Sequence, residues 1–119
     1  MYTIQKEIHF SASHQLDHLP EGHQCARLHG HNYIVVMVLK SESVDDRGFV
    51  RDYAELDVVK RFIDETLDHR HLNDVFGAGS ATTAENIAKA MFLMFSSALP
   101  ELHEVRVSET PKTWASYQR

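Results

Sequence analysis

The chain carries one cysteine, Cys25, three prolines, five glycines and one tryptophan in 119 residues. A lone thiol excludes an internal disulfide, so the fold needs no oxidising compartment and the cysteine is free for chemistry. Proline, glycine and serine form no runs, which leaves no linker or low-complexity segment, and no internal repeat is visible. No apolar stretch approaches the roughly 18 residues of a membrane span, and Met1 to Glu7 lacks the basic and apolar blocks of a leader. These absences predict one domain over residues 1–119, cytoplasmic and without a membrane partner. Positive charge is also scarce, with 12 Lys and Arg against 17 Asp and Glu and a net charge of −5. A nucleic acid as main partner needs clustered Lys and Arg, and the charge argues against it.

Histidine, by contrast, is abundant. There are nine, dispersed from His9 to His103. Two of them, His29 and His31, stand at strand spacing just beyond Cys25. Side chains two apart on a strand share a face, so both rings can turn onto one small cation. Gly30 between them lets the backbone lie close to a neighbouring strand. A third nitrogen can come from His14, which ends the preceding strand.

That strand is Tyr2 to His14. Tyr2, Ile4, Ile8, Phe10 and Ala12 share one parity and polar residues the other, and His14 continues the apolar parity. After a polar loop, Asn32 to Leu39 is apolar on both parities, which predicts burial by helices on one side and by another subunit on the other. Asp52 and Glu55 have capping-box spacing ahead of a helix whose stripe is Leu56, Val59, Ile63 and Leu67. A second helix begins at Thr82 with Glu85 as capping partner and presents Ile87, Ala88, Met91, Met94, Phe95, Ala98 and Leu99 before Pro100 stops it. Leu102 to Thr110 and Thr113 to Gln118 alternate as strands about a Pro111-Lys112 turn. The order ββααββ predicts an α+β fold, a four-stranded antiparallel sheet with both helices on one face. Such a sheet has open edges, so self-association is expected.

Three histidines with no fourth protein ligand would leave zinc an open position, the mark of a catalytic site. Cys25 either closes a Cys-His-His-His site or stands beside the metal as a base, and the second keeps the position open. Asp68-His69 has the make-up of a proton relay, and equally of a helix C-cap. Glu109 shares parity with Val105 and Val107, where a carboxylate needs a partner: an Arg, or a ligand with an amidine-like donor pair. His9, His18, His23 and His103 read as surface residues.

These residues resemble a known family. Phe10-Ser11-Ala12-Ser13-His14, Glu21-Gly22-His23-Gln24-Cys25, His29-Gly30-His31-Asn32-Tyr33, Asp52-Tyr53-Ala54-Glu55-Leu56, Leu67-Asp68-His69, Leu72-Asn73, Thr82-Thr83-Ala84-Glu85-Asn86 and Val107-Ser108-Glu109-Thr110 are similar to the 6-pyruvoyl-tetrahydropterin synthase family. The Cys-x3-His-Gly-His spacing looks like its bacterial branch, the 6-carboxy-5,6,7,8-tetrahydropterin synthases of queuosine biosynthesis. The resemblance implies the tunnelling fold, in which sheets of several subunits join into a barrel and two rings stack as a homohexamer with interfacial active sites.

It further implies one Zn2+ per subunit on His14, His29 and His31, Cys25 as catalytic thiol, Asp68 and His69 as relay, and Glu109 as both catalytic residue and pterin anchor. The implied activity is a zinc-dependent lyase acting on 7,8-dihydroneopterin triphosphate. Pyruvoyl-forming elimination of triphosphate, or pterin binding without turnover, are the alternatives. A triphosphate needs local positive charge, for which Arg27, Arg51, Arg106 and Lys112 are candidates.

Overall fold

The computed structural model describes residues 1–77 and 80–119. Five strands form one sheet in the order β3-β1-β2-β4-β5. β1 (Tyr2–His14) and β2 (His29–Ser41) pair antiparallel without interruption, from Tyr2 opposite Ser41 to His14 opposite His29. β4 (Leu102–Thr110) lies on the other side of β2, and β5 (Thr113–Gln118) closes the hairpin.

The expected sheet of four antiparallel strands is thus one strand short. β3 (Arg70–His71) runs parallel to β1, with Ala12 opposite Arg70 and Ser13 opposite His71, so the sheet is mixed. Two residues are too few to show an alternation, and this strand exists only because the chain returns along a free edge of β1.

The expected first helix is three pieces. A 3-10 turn, Tyr53–Leu56, leads into α1 (Asp57–Phe62), and a π turn, Ile63–Leu67, ends it. Leu56, Val59, Ile63 and Leu67 are all buried, as their spacing predicts. Asp52 caps the first turn by accepting from the Ala54 N–H at 2.9 Å. Glu55 does not reach back as a capping box requires; it pairs with Arg51. The π turn closes with the Asp68 N–H on the Ile63 carbonyl, 2.8 Å, after which Asp68 is extended and leaves the helix. A short α2 (Leu72–Phe76) follows β3, so there are three α-helices among the described residues where two were expected.

The long helix α3 (Ala84–Phe95) is capped by Thr83, whose side chain accepts from the Asn86 N–H at 3.2 Å. Thr82, the expected cap, is buried against His14 instead, so the helix starts one residue later. Its buried face is Ala84, Ile87, Ala88, Met91, Phe92 and Phe95. Phe92 meets the Tyr117 ring edge-on at 5.2 Å, whereas Met94, expected in the core, is 46% exposed. Val35, Met37 and Leu39 of β2 join this core. Val36 and Val38 face the other way and are also buried, at 2% and 5% exposed. The register flanks Val36 with Glu7 and Arg106, and Val38 with Gln5 and Glu104, so long polar side chains line that second face.

Truncating Ile63 to Ala leaves a cavity under the sheet and is expected to cost about 2–5 kcal/mol. Met94→Ala should stay within about 0.5 kcal/mol of the parent. Urea unfolding of the two variants checks both values.

Candidate metal centre and adjoining cavity

The register of β1 and β2 builds the centre. His14 faces His29 directly, His31 lies opposite Ala12, and one ligand atom from each ring falls within 4.8 Å of the other two. A Cβ on Gly30 would stand 3.3 Å from the Ala12 carbonyl oxygen, so glycine is needed where the strands come this close.

The protonation pattern follows from the hydrogen bonds. His14 Nδ1 is 2.7 Å from the Thr82 carbonyl oxygen, and His29 Nδ1 is 2.6 Å from that of Arg27. A carbonyl only accepts, so each Nδ1 carries the proton and each Nε2 presents a lone pair. Those two Nε2 atoms face each other at 2.8 Å. Two lone pairs at that distance repel unless a cation lies between them. His31 Nε2 is buried and has no hydrogen-bond partner among the described residues. Three converging imidazole nitrogens, two with their far side fixed by carbonyls, fit a metal ion with an open fourth position.

Burial lowers the pKa of His14, and so do the neighbouring histidines. The Thr82 carbonyl and the Glu109 carboxylate oppose the shift. His31 is lowered mainly by burial as well, against the pull of Glu109. Both rings are therefore held neutral, the form that ligates.

Glu109 reaches the site through an irregularity in β4. The pairing shifts between Val107 and Thr110, Ser108 turns inward and donates to the Thr110 carbonyl, and Glu109 Oε2 stands 3.5 Å from His31 Nε2. Its neighbour is thus a histidine, not an arginine. A cavity of about 670 Å3 opens here, lined by Ser11, His31, Asn32, Tyr33, Asp68 and Glu109 among others. That size suits a small organic molecule.

Asp68 is pinned to β1. Its Oδ1 accepts from the Ser11 N–H at 2.9 Å and its Oδ2 lies 3.0 Å from His69 Nδ1. These bonds, the Ser11 N–H foremost, hold its carboxyl below the usual range. His69 has φ 59°, a left-handed conformation unusual for a residue with a side chain, and its N–H donates to the Ser11 carbonyl at 2.6 Å. The ring is 82% exposed. Asp68 and His69 are thus side-by-side partners, with the carboxylate on the cavity wall and the imidazole turned to solvent.

Cys25 sits in a 3-10 turn, Gln24–Ala26, and is half-buried and free. It is not one of the converging ligands. Its N–H donates to His23 Nδ1 at 3.1 Å and its carbonyl accepts from Leu16 at 3.1 Å. His23 is exposed, as expected, but it also caps this turn. Of the basic candidates, Arg51 is committed to Glu101 at 2.7 Å and to Glu55, and Arg106 lies 3.7 Å from Glu104 with its guanidinium over Trp114. Neither is a free anion contact. Arg27 and Lys112 are exposed, and Arg27 also supplies the carbonyl that orients His29.

Three participants escape a reading of spacing alone. Thr82 orients His14, and Asn73 holds the next residue, Gln15, by accepting from its N–H at 2.9 Å and donating to its carbonyl at 2.8 Å. Tyr33 is fully buried, with the His31 ring centroid 5.5 Å away. Its parity with His29 and His31 was the available signal.

The fold and the site define a small α+β protein that can hold a metal on three histidines beside an open cavity. The sequence matches the description "6-pyruvoyl tetrahydropterin synthase" over residues 3–119, and the chain belongs to that family. It is 37% identical to the 6-carboxy-5,6,7,8-tetrahydropterin synthase of Synechocystis sp., covering 98% of this chain and 93% of that protein. The Bacillus subtilis protein of the same name is 29% identical, covering 98% and 85%. The structure of Caenorhabditis elegans 6-pyruvoyl tetrahydropterin synthase superposes with a TM-score of 0.86 at 31% identity, over 99% of this chain and 95% of that one.

Wild-type protein is expected to bind close to one zinc per chain and His29→Ala much less, measured by metal analysis after dialysis. The metal-free protein should also lose stability in mild acid. The folded pKa values of His14 and His31 lie below their unfolded value of about 6.5, so the unfolded chain takes up more protons there. The stability they confer is complete above that pH and declines as pH falls through it. Thermal midpoints between pH 7.5 and 5.5 test this.

Proposed function

We propose that this chain is a zinc-dependent lyase that converts 7,8-dihydroneopterin triphosphate and one water to 6-carboxy-5,6,7,8-tetrahydropterin, acetaldehyde and triphosphate, serving queuosine biosynthesis in the cytoplasm. The observation that carries this reading is the convergence of His14, His29 and His31 beside a cavity that Glu109 and Asp68 also line. The Cys-x3-His-Gly-His spacing and the names of the Synechocystis and Bacillus relatives favour the carboxy-forming reaction.

His14, His29 and His31 would hold the zinc. Bound there, zinc supplies a Lewis acid that makes hydroxyl and adjacent C–H protons of the substrate side chain easier to remove. The Cys25 thiolate takes a proton as base, and His69, oriented by Asp68, passes protons on. Glu109 accepts two hydrogen bonds from the aminopyrimidine edge of the pterin, a fit that also satisfies a half-buried carboxylate. Arg27 offers positive charge to the triphosphate. Of the three side-chain carbons, one remains as carboxylate and two leave as acetaldehyde.

A homohexamer with active sites at subunit boundaries accords with the open β5 edge and with a His69 ring that faces away from its own chain. The pyruvoyl-forming reaction is the second reading, favoured by the likeness to the C. elegans structure.

Zinc-loaded protein given dihydroneopterin triphosphate should release acetaldehyde and triphosphate in equal amounts. Triphosphate without acetaldehyde would decide for the second reading. Cys25→Ala should keep its zinc and lose about 100- to 10,000-fold in turnover, the usual contribution of a base.

A further inference from the structure

Tyr33 presents an anomaly at the edge of the centre. Its side chain is fully buried, yet its hydroxyl has no hydrogen-bond partner among the described residues. A buried polar group left unpaired is destabilising, so each one in a folded protein calls for a specific explanation. The ring cannot swing away to find a partner. Phe10 stacks on it at 4.8 Å and 7°, and the His14 and His31 rings meet it edge-on, with centroids 6.1 and 5.5 Å away.

The second atom without a partner among the described residues is His31 Nε2, which stands 3.5 Å from Glu109 Oε2. Tyr33, His31 and Glu109 line one cavity. A phenol hydroxyl carries its proton at neutral pH, so Tyr33 offers a donor. Once His31 gives its Nε2 lone pair to a metal, that nitrogen has no proton to offer Glu109. The carboxylate then needs another donor, and the Tyr33 hydroxyl is a neutral one fixed by packing.

We propose that Tyr33 is a positioning residue that receives Glu109 when His31 binds metal, and so links metal occupancy to the orientation of the carboxylate that anchors the pterin. The inference rests on the pterin reading of the site. Metal loading should therefore strengthen binding of a pterin that never touches the metal. Removing the Tyr33 hydroxyl should abolish that gain while leaving the metal site intact.

The test compares wild type with Tyr33→Phe, each with and without zinc, using pterin that carries no side chain so that direct metal contact is excluded. Zinc should tighten pterin binding to wild type about tenfold, the scale of one hydrogen bond to a charged group, measured by isothermal titration. In Tyr33→Phe the gain should shrink to twofold or less. That variant should keep one zinc per chain, and its metal-free thermal midpoint should equal or exceed the wild-type value, because an unpaired hydroxyl has been removed. An undiminished gain in the variant, or loss of its zinc, overturns the proposal. If zinc-loaded wild type binds no pterin, the functional reading fails, and Tyr33 is judged on the thermal shift caused by zinc alone. That shift should be smaller in Tyr33→Phe, and equal shifts overturn the proposal.

Discussion

The antiparallel register of β1 and β2 is the constraint on which the rest depends. It places His14 opposite His29 and His31 opposite Ala12, and sets Tyr33 opposite Phe10. A slip of one residue would turn the histidines to the other face and take Val35, Met37 and Leu39 out of the core at the same time. The histidine cluster and the hydrophobic core are thus specified by one interaction, and a slip that removed one would remove the other. Gly30 is the local price, since a side chain there would press on the Ala12 backbone.

Around that register, elements distant in sequence act through backbone groups. The carbonyls of Arg27 and Thr82 set which nitrogen of His29 and His14 is bare. Asn73 holds the chain just past His14, and Ser11 binds both Asp68 and His69 through its main chain. Donors aimed by rigid strands and carbonyls lose little freedom on taking up a ligand, which is why such sites bind well. The cost is electrostatic. Two Nε2 lone pairs meet at 2.8 Å, and two buried side-chain polar atoms, His31 Nε2 and the Tyr33 hydroxyl, have no partner among the described residues. That strain sits where a cation and a ligand would relieve it, consistent with the tendency of functional sites to be locally unstable.

The Asp68-His69 pair shows how helix geometry serves the site. The π turn at Ile63–Leu67 lets Leu67 stay buried while Asp68 leaves the helix extended, and a left-handed His69 then directs its ring outward. β3 follows at once and fastens this corner to β1. The Asp68-His69 pair is therefore carried on a segment tied down at both ends, and it presents its imidazole to solvent.

The sequence by itself determined the four long strands, the core stripe Leu56-Val59-Ile63-Leu67 and the grouping of three histidines, because each depends on a period of two or about 3.6 that short-range geometry enforces. It also carried the motifs that place the chain in its family. Tertiary structure alone decided β3, the break of the first helix into three turns, the shift of the α3 cap from Thr82 to Thr83, and the choice of Phe92 over Met94 for the core. It alone showed that Thr82 and Arg27 act through carbonyls, that Arg51 and Arg106 are already paired, and that Tyr33 is buried with no partner for its hydroxyl among the described residues. These outcomes rest on which distant segment fills a given space or lone pair, and no local period encodes that.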